Sequence, residues 1–372
     1  MIEIMKLTNQ FKCFFILLFT FLLQAFSYAQ QPVTQTAVVP ASQTQSILFI
    51  GNSYTHMNSM PVLFDKIAEA KGVKMYVEMN AFSNHSFKMH SLKPELYAKL
   101  KERKWDYVVL QGFSRELSYP HNYIDTASVP YIQQILDSVY ANNSCTNVLL
   151  YMTWGYKDGF AERSEIDSYT KMSDTVKSGY EYISTKFNLP IVPVGQVWQD
   201  VRSKSAINLY REDGQHPTLE GSFLIAYTFF TSIFKNTPIG SYSKGILEND
   251  ANFLANTAYK YVNLHLEEFK LIGDVVKVKP VRTKTGEYIA HCTAFFPDAI
   301  SVKWYFGDGK SSTDSIVTHK FKYAQEYIVT LVVEEECGVR KIKRKIKFEK
   351  PLAPSPYERK KTKLEVTNAK KN

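Results

Sequence analysis

Cysteine is scarce: four in 372 residues, at positions 13, 145, 292 and 337. Cys13 precedes an apolar N-terminal run instead of following it, so it does not fit a lipoprotein anchor. Of the other three, Cys292 and Cys337 fall in one C-terminal segment and can pair, which would leave Cys145 over. Other signals are missing altogether. No Cys/His/carboxylate cluster has metal-ligand spacing, and no glycine-rich loop could cradle a phosphate, so neither metal nor cofactor is expected. No basic-plus-aromatic element points to nucleic acid. After residue 29 no stretch is long enough to cross a bilayer.

What is present begins with an export signal. Lys6 and Lys12 lead into the uncharged run Phe14 to Phe26, and Ser27-Tyr28-Ala29 fits a small-x-small cleavage site. Residues 1–29 therefore read as a signal peptide, with the mature chain periplasmic or extracellular. Residues 30–45, rich in Gln, Thr, Val and Pro, read as a flexible leader. The formal charge of +9 is weighted towards the end, where basic residues dominate from Arg340 onward. Residues 350–372 read as a disordered basic tail.

Between these ends, hydrophobic periodicity divides the chain in two. Over 46–273, short apolar runs alternate with helical patterns. Strands are expected at Ile47–Ile50, Val73–Met79, Tyr107–Leu110, Val148–Met152 and Ile191–Val194. Helices are expected at Pro61–Lys71, Pro94–Lys104, around Ile132–Val139, over Ile166–Ile183, from near Pro217, and over Leu254–Phe269. Strands without a polar face argue for a parallel sheet covered on both sides. Such sheets bind ligands beyond the carboxyl ends of their strands, and Ser53, Gln111 and Trp154 each follow a strand. Over 274–349 the pattern changes to short alternating segments and turn glycines, a small all-β module.

A serine hydroxyl needs a base to become a nucleophile, and the base needs a partner that fixes its tautomer. Gly51-Asn52-Ser53 ends the first strand. Asp213-Gly214-Gln215-His216-Pro217 precedes a long helix, with Pro217 suited to a helical first turn. Taken together these resemble the first and last sequence blocks of the SGNH (GDSL-type) hydrolase superfamily. Trp105 to Gln111, Tyr151 to Gly155 and Asp213 to Pro217 resemble its DUF4886 group more closely. The resemblance implies a flavodoxin-like three-layer α/β/α domain and an esterase. It assigns Ser53 as nucleophile, His216 as general base then acid, and Asp213 as its orienting partner. The expected oxyanion donors are the Ser53 N–H, a backbone N–H from Ser83 or Asn84, and the Gln111 side chain, with Ser114 as the other candidate for the third place. The chain departs from the superfamily here, lacking the second-block glycine and third-block asparagine. Ser114, Trp154 and His85 are candidate substrate contacts; His90, near His85, is expected at the surface or capping a helix. His56 is expected to point away from Ser53.

In the all-β module, Phe306-Gly307-Asp308-Gly309, His319-Lys320-Phe321 and the alternation from Tyr327 to Val333 resemble a PKD domain, an Ig-like β-sandwich. The resemblance implies a spacer or adhesion unit contacting glycan or protein. The expected substrate is an acylated carbohydrate or small ester, with an O-acetyl carbohydrate preferred. Two other readings stay open: a catalytically weak or inactive glycan-binding surface protein, and an O-acyltransferase.

Overall fold

A computed structural model describes residues 44–272, 275–296 and 299–349 of the protein. The expected export signal, most of the expected leader and the expected basic tail lie outside these residues. The first part is built on five parallel strands: β1 Gln45–Gly51, β2 Met75–Ala81, β3 Tyr107–Leu110, β4 Asn147–Tyr151 and β5 Ile191–Val192, in the order β2-β1-β3-β4-β5. This is the doubly wound order with its reversal between β1 and β3, where a crevice opens beyond the strand ends. Ile47 to Ile50 are fully buried, as a central strand covered on both faces requires. The start of the strand is held as well: Asp106 accepts from the Ser46 N–H at 2.7 Å and its hydroxyl at 2.8 Å, fixing β1 beside β3.

Most helical expectations lie within a few residues of the observed bounds, as with Met60–Ala70, Val129–Asn142 and Tyr169–Phe187. Two differences are physical. Ser53 opens a four-residue helix, Ser53–His56, before the Met60–Ala70 helix; Asn58 and Ser59, with φ of 51° and 53°, break the chain between them. The last strand of the sheet is only two residues long. Val194 onward forms a helix to Lys204 instead, which packs Val197, Trp198 and Val201 into the core.

The second part has its own hydrophobic core around Trp304, Phe306, Phe321 and Leu331. It contains β6 Val275–Arg282, β7 Tyr288–Phe295, β8 Ala299–Tyr305, β9 Ser311–Ser312, β10 Ile316–Phe321, β11 Glu326–Glu335 and β12 Gly338–Lys347. These form antiparallel sheets ordered β10-β7-β6 and β12-β11-β8-β9. His319 stacks on Phe306 at 3.8 Å and lies 2.8 Å from the Asp308 carboxylate, so both residues serve the module's own packing.

The cysteine expectation is corrected. Cys145, just before β4, is bonded to Cys337 in the β11–β12 turn, while Cys292 on β7 is buried and free. Alternation explains it: Cys292 faces the sandwich core, where burial pushes its thiol up to about 11, and Cys337 sits at an exposed hairpin tip. The bond closes a sequence separation of 192 residues. By chain entropy alone such a loop contributes about 5 kcal/mol. A non-reducing peptide map is expected to yield a Cys145–Cys337 cross-linked peptide, with Cys292 alkylated only after denaturation. A Cys292–Cys337 peptide would contradict the structure.

Candidate active site

The turn after β1 is held by polar bonds to its neighbours. Asn52 caps the Ser53–His56 helix, its Oδ1 accepting the Tyr54 N–H at 3.1 Å. Its Nδ2 donates to the carbonyls of Gly112, at 3.0 Å, and His85, at 3.3 Å. Its backbone N–H donates to Gln111 Oε1 at 2.9 Å, and the Thr55 hydroxyl donates to the same oxygen at 2.9 Å. One side chain thus joins the loops after β1, β2 and β3. Gly51 is required by this crowding: a Cβ there would lie 2.3 Å from Thr55 Oγ1 and 2.5 Å from Gln111 Oε1.

Ser53 Oγ lies 2.9 Å from His216 Nε2, and His216 Nδ1 lies 2.6 Å from Asp213 Oδ2. The tautomer follows from the partners. A carboxylate only accepts, so Nδ1 carries the hydrogen and Nε2 presents its lone pair to the Ser53 hydroxyl. Asp213 Oδ1 accepts the backbone N–H groups of Gln215 and His216, both at 2.9 Å, while Gly214 takes φ of 66°. Burial raises the Asp213 carboxyl, but these two N–H groups and the His216 side chain outweigh it and hold the group below its ordinary value. The imidazole is also supported on its flank. Tyr54 meets it edge-on at 5.6 Å and stacks on Trp154 at 4.3 Å, and Trp154 stacks on Trp198 at 4.0 Å.

Several expected roles change. Gln111 does not face the crevice as an oxyanion donor. It is fully buried, its Oε1 occupied as above and its Nε2 donating to the Gly112 carbonyl, so it is a strut beneath the serine turn. Trp154 is not exposed for substrate contact: it is fully buried, with its indole N–H donating to the Gln215 carbonyl at 3.0 Å. His90 is not at the surface. It is fully buried, and its Nε2–H donates to the Gly51 carbonyl at 2.9 Å. Burial holds its pKa down to about 4, against the opposing pull of that carbonyl, so it stays neutral. His56 does turn from Ser53, meeting the Ser83 hydroxyl at 3.0 Å; burial first, then His216, lowers its pKa. His85 bonds through Nδ1 to the Ser83 carbonyl at 3.0 Å and lies against Phe82 and His90.

On the oxyanion side, Asn84 has φ of 61° in a turn closed by the His85 N–H on the Phe82 carbonyl at 3.2 Å. Asparagine tolerates the left-handed region, and so it occupies a turn where glycine would be the default residue. Ser114 is buried, with its hydroxyl 2.7 Å from that of Tyr156. Burial raises the Tyr156 phenol, which therefore stays protonated and can donate to Ser114, leaving the serine's own hydrogen for another acceptor. Tyr156, Thr55 and the second bonding partners of Asn52 carry no sequence signal; only the chain's return brings them here. No helix among the described residues is long and apolar enough to cross a membrane, and no group of three or more potential metal ligands occurs among them.

A PKD domain pattern matches residues 292–348. No curated protein sequence matches the chain. Among solved structures, a DUF4886 family protein from Bacteroides uniformis is similar, with a TM-score of 0.53 and 19% identity over 59% of this chain and 95% of that one. A protein from Slackia heliotrinireducens assigned to the SGNH hydrolases gives a TM-score of 0.42 and 25% identity over 51% and 100%. The acetylxylan esterase Axe2 from Geobacillus stearothermophilus gives 0.36 and 14% over 50% and 92%. The first of these shows the shared α/β fold; the other two are looser likenesses.

Gln111→Ala should destabilise the protein through the loss of its buried acceptor, which leaves the Asn52 N–H and Thr55 hydroxyl unpaired. Such groups cost about 1–3 kcal/mol each. A thermal unfolding midpoint equal to that of the wild type would argue against the strut.

Proposed function

We propose that the chain is a serine esterase that hydrolyses ester groups through an acyl-enzyme on Ser53. In this reading residues 46–273 form the hydrolase domain, 274–349 an accessory module, and the protein acts outside the cytoplasm. The observation that carries it is the continuous hydrogen-bonded chain Ser53–His216–Asp213, at 2.9 Å and 2.6 Å. This chain favours an enzyme over the glycan-binding alternative, which needs no such alignment.

The steps follow from the donors and acceptors. His216 Nε2 takes the Ser53 proton as Oγ attacks the ester carbonyl, and the imidazolium formed is held by Asp213. His216 returns that proton to the departing alcohol. Water then attacks the acyl-enzyme with His216 again as base, releasing the acid and restoring Ser53. The tetrahedral oxyanion is assigned to the backbone N–H groups of Ser53 and Asn84 and to the Ser114 hydroxyl, which replaces Gln111 in this role. Carbohydrate O-acetyl groups are the preferred substrate, on the basis of the export signal and the accessory β-module. An alcohol in place of water would turn the same intermediate towards acyl transfer.

The test is hydrolysis of p-nitrophenyl acetate by residues 30–372. Ser53→Ala and His216→Ala should each lower kcat by about 10⁴-fold or more, by analogy with other serine hydrolases. Asp213→Asn should retain folding and lose less than either. Equal turnover in wild type and Ser53→Ala would overturn the assignment.

A further inference from the structure

The mechanism above leaves one acidic side chain unused. Glu116 lies on the loop that follows β3, and it accepts from Phe113 in that loop and from two other segments. Its Oε2 accepts the Phe113 N–H at 2.9 Å and the Phe87 N–H at 3.1 Å. Its Oε1 shares the Phe87 N–H at 3.2 Å and accepts the Ser128 hydroxyl at 3.2 Å. Phe87 directly follows the Phe82–Ser86 turn that carries Asn84. Phe113 directly precedes Ser114. The carboxylate therefore ties together the two segments that offer oxyanion donors besides Ser53 itself.

The packing leaves little slack. A Cβ on Gly112 would lie 2.6 Å from the Phe87 ring and 2.7 Å from Glu116 Oε2, so this glycine lets the loops close onto the carboxylate. Phe87 and Ser128 are both buried. Together with the Asn52 bonds to His85 and Gly112, the arrangement pins each loop from two sides, Asn52 from the serine turn and Glu116 from behind.

We propose that Glu116 is a positioning residue that sets the spacing of the oxyanion-side loops by accepting the Phe87 and Phe113 N–H groups at once. The inference rests on the esterase reading for its catalytic consequence, but the clamp itself does not. The ionised carboxylate accepts at both oxygens; a proton on Oε1 would face the Ser128 hydroxyl, which can accept it, while Oε2 keeps both N–H bonds in uncharged form. Burial pushes Glu116 up to about 7, against the opposing pull of the Phe113 and Phe87 N–H groups and the Ser128 hydroxyl. Because burial raises it, the closed loops favour the neutral acid more than opened loops would, so the closed arrangement gains stability as pH falls from about 7 towards the carboxyl's ordinary value. The other titratable group close to it is Tyr180 on the Tyr169–Phe187 helix, whose phenol burial holds well above its ordinary value and therefore uncharged.

The test compares the full chain with Glu116→Gln, an isosteric change that keeps one acceptor oxygen and puts donors where the other stood. In Glu116→Gln, kcat/KM should fall by up to about 10²-fold if the loops shift by an ångström or so. Hydrogen exchange should quicken in segments 82–90 and 110–116 of the variant, and in wild type alone should slow as pH falls from about 7 towards 5 after correction for intrinsic rates, with β6–β12 unchanged. Wild-type kcat/KM in the variant, or unchanged exchange in both segments, overturns the proposal. Should Glu116→Gln not fold, the pH dependence of wild-type exchange decides alone. If Ser53→Ala proves as active as wild type, the esterase reading fails while the exchange measurement still tests the clamp.

Discussion

The arrangement depends on the bonds that Asn52 and Gln111 make in the dark space under Ser53. A serine presented at the end of a strand has a backbone that turns away from the sheet ladder, and the amide groups exposed by that turn must be satisfied somewhere. Gln111 Oε1 satisfies the Asn52 N–H, Asn52 Oδ1 satisfies that of Tyr54, and Asn52 Nδ2 reaches two carbonyls on other loops. All but the partly buried His85 carbonyl are buried, so each of those bonds left unmade would carry a desolvation cost. The serine is therefore held by an interlocked set of polar contacts, with little freedom for one loop to move without the others.

The base is held by a different kind of force. Asp213 is partly exposed, and its hold on His216 comes from local turn geometry, two backbone N–H groups and one imidazole within four residues. Beneath it, Tyr54, Trp154 and Trp198 form a stack of flat apolar faces. Polar bonding thus organises Ser53 and the loops after β2 and β3, whereas aromatic packing and a short turn organise His216.

What could be read in advance follows this difference. Ser53, Asp213 and His216 were legible because strand, turn and helix signals around them are local, and because the parallel sheet sends its strand ends to one edge. The strands from Ile47 and Tyr107 were legible for the same reason, their apolar runs being short and bounded. Gln111 was located but misassigned: its position after β3 is a matter of sequence, whereas the direction of its amide depends on Asn52 and Thr55, some sixty residues away. Trp154 was ambiguous because a large aromatic after a strand suits either a core or a crevice, and the partner that decides it, Trp198, lies on a helix the sequence reading missed. Glu116 carried no local signal at all. The cysteine pairing failed for a related reason: proximity along the chain favoured Cys292, while strand alternation turned that side chain inward.

The Cys145–Cys337 bond has a further consequence for how the chain can come apart. It closes a covalent ring that includes β4, β5, Asp213, His216 and most of the second core, while β1 with Ser53 stays on the open arm outside it. A single peptide-bond cut anywhere inside that ring opens it without releasing a fragment, so a nicked molecule keeps its full mass until the bond is reduced. His216 is thus carried on a circle and Ser53 on a free end, and only non-covalent contacts hold the two in register.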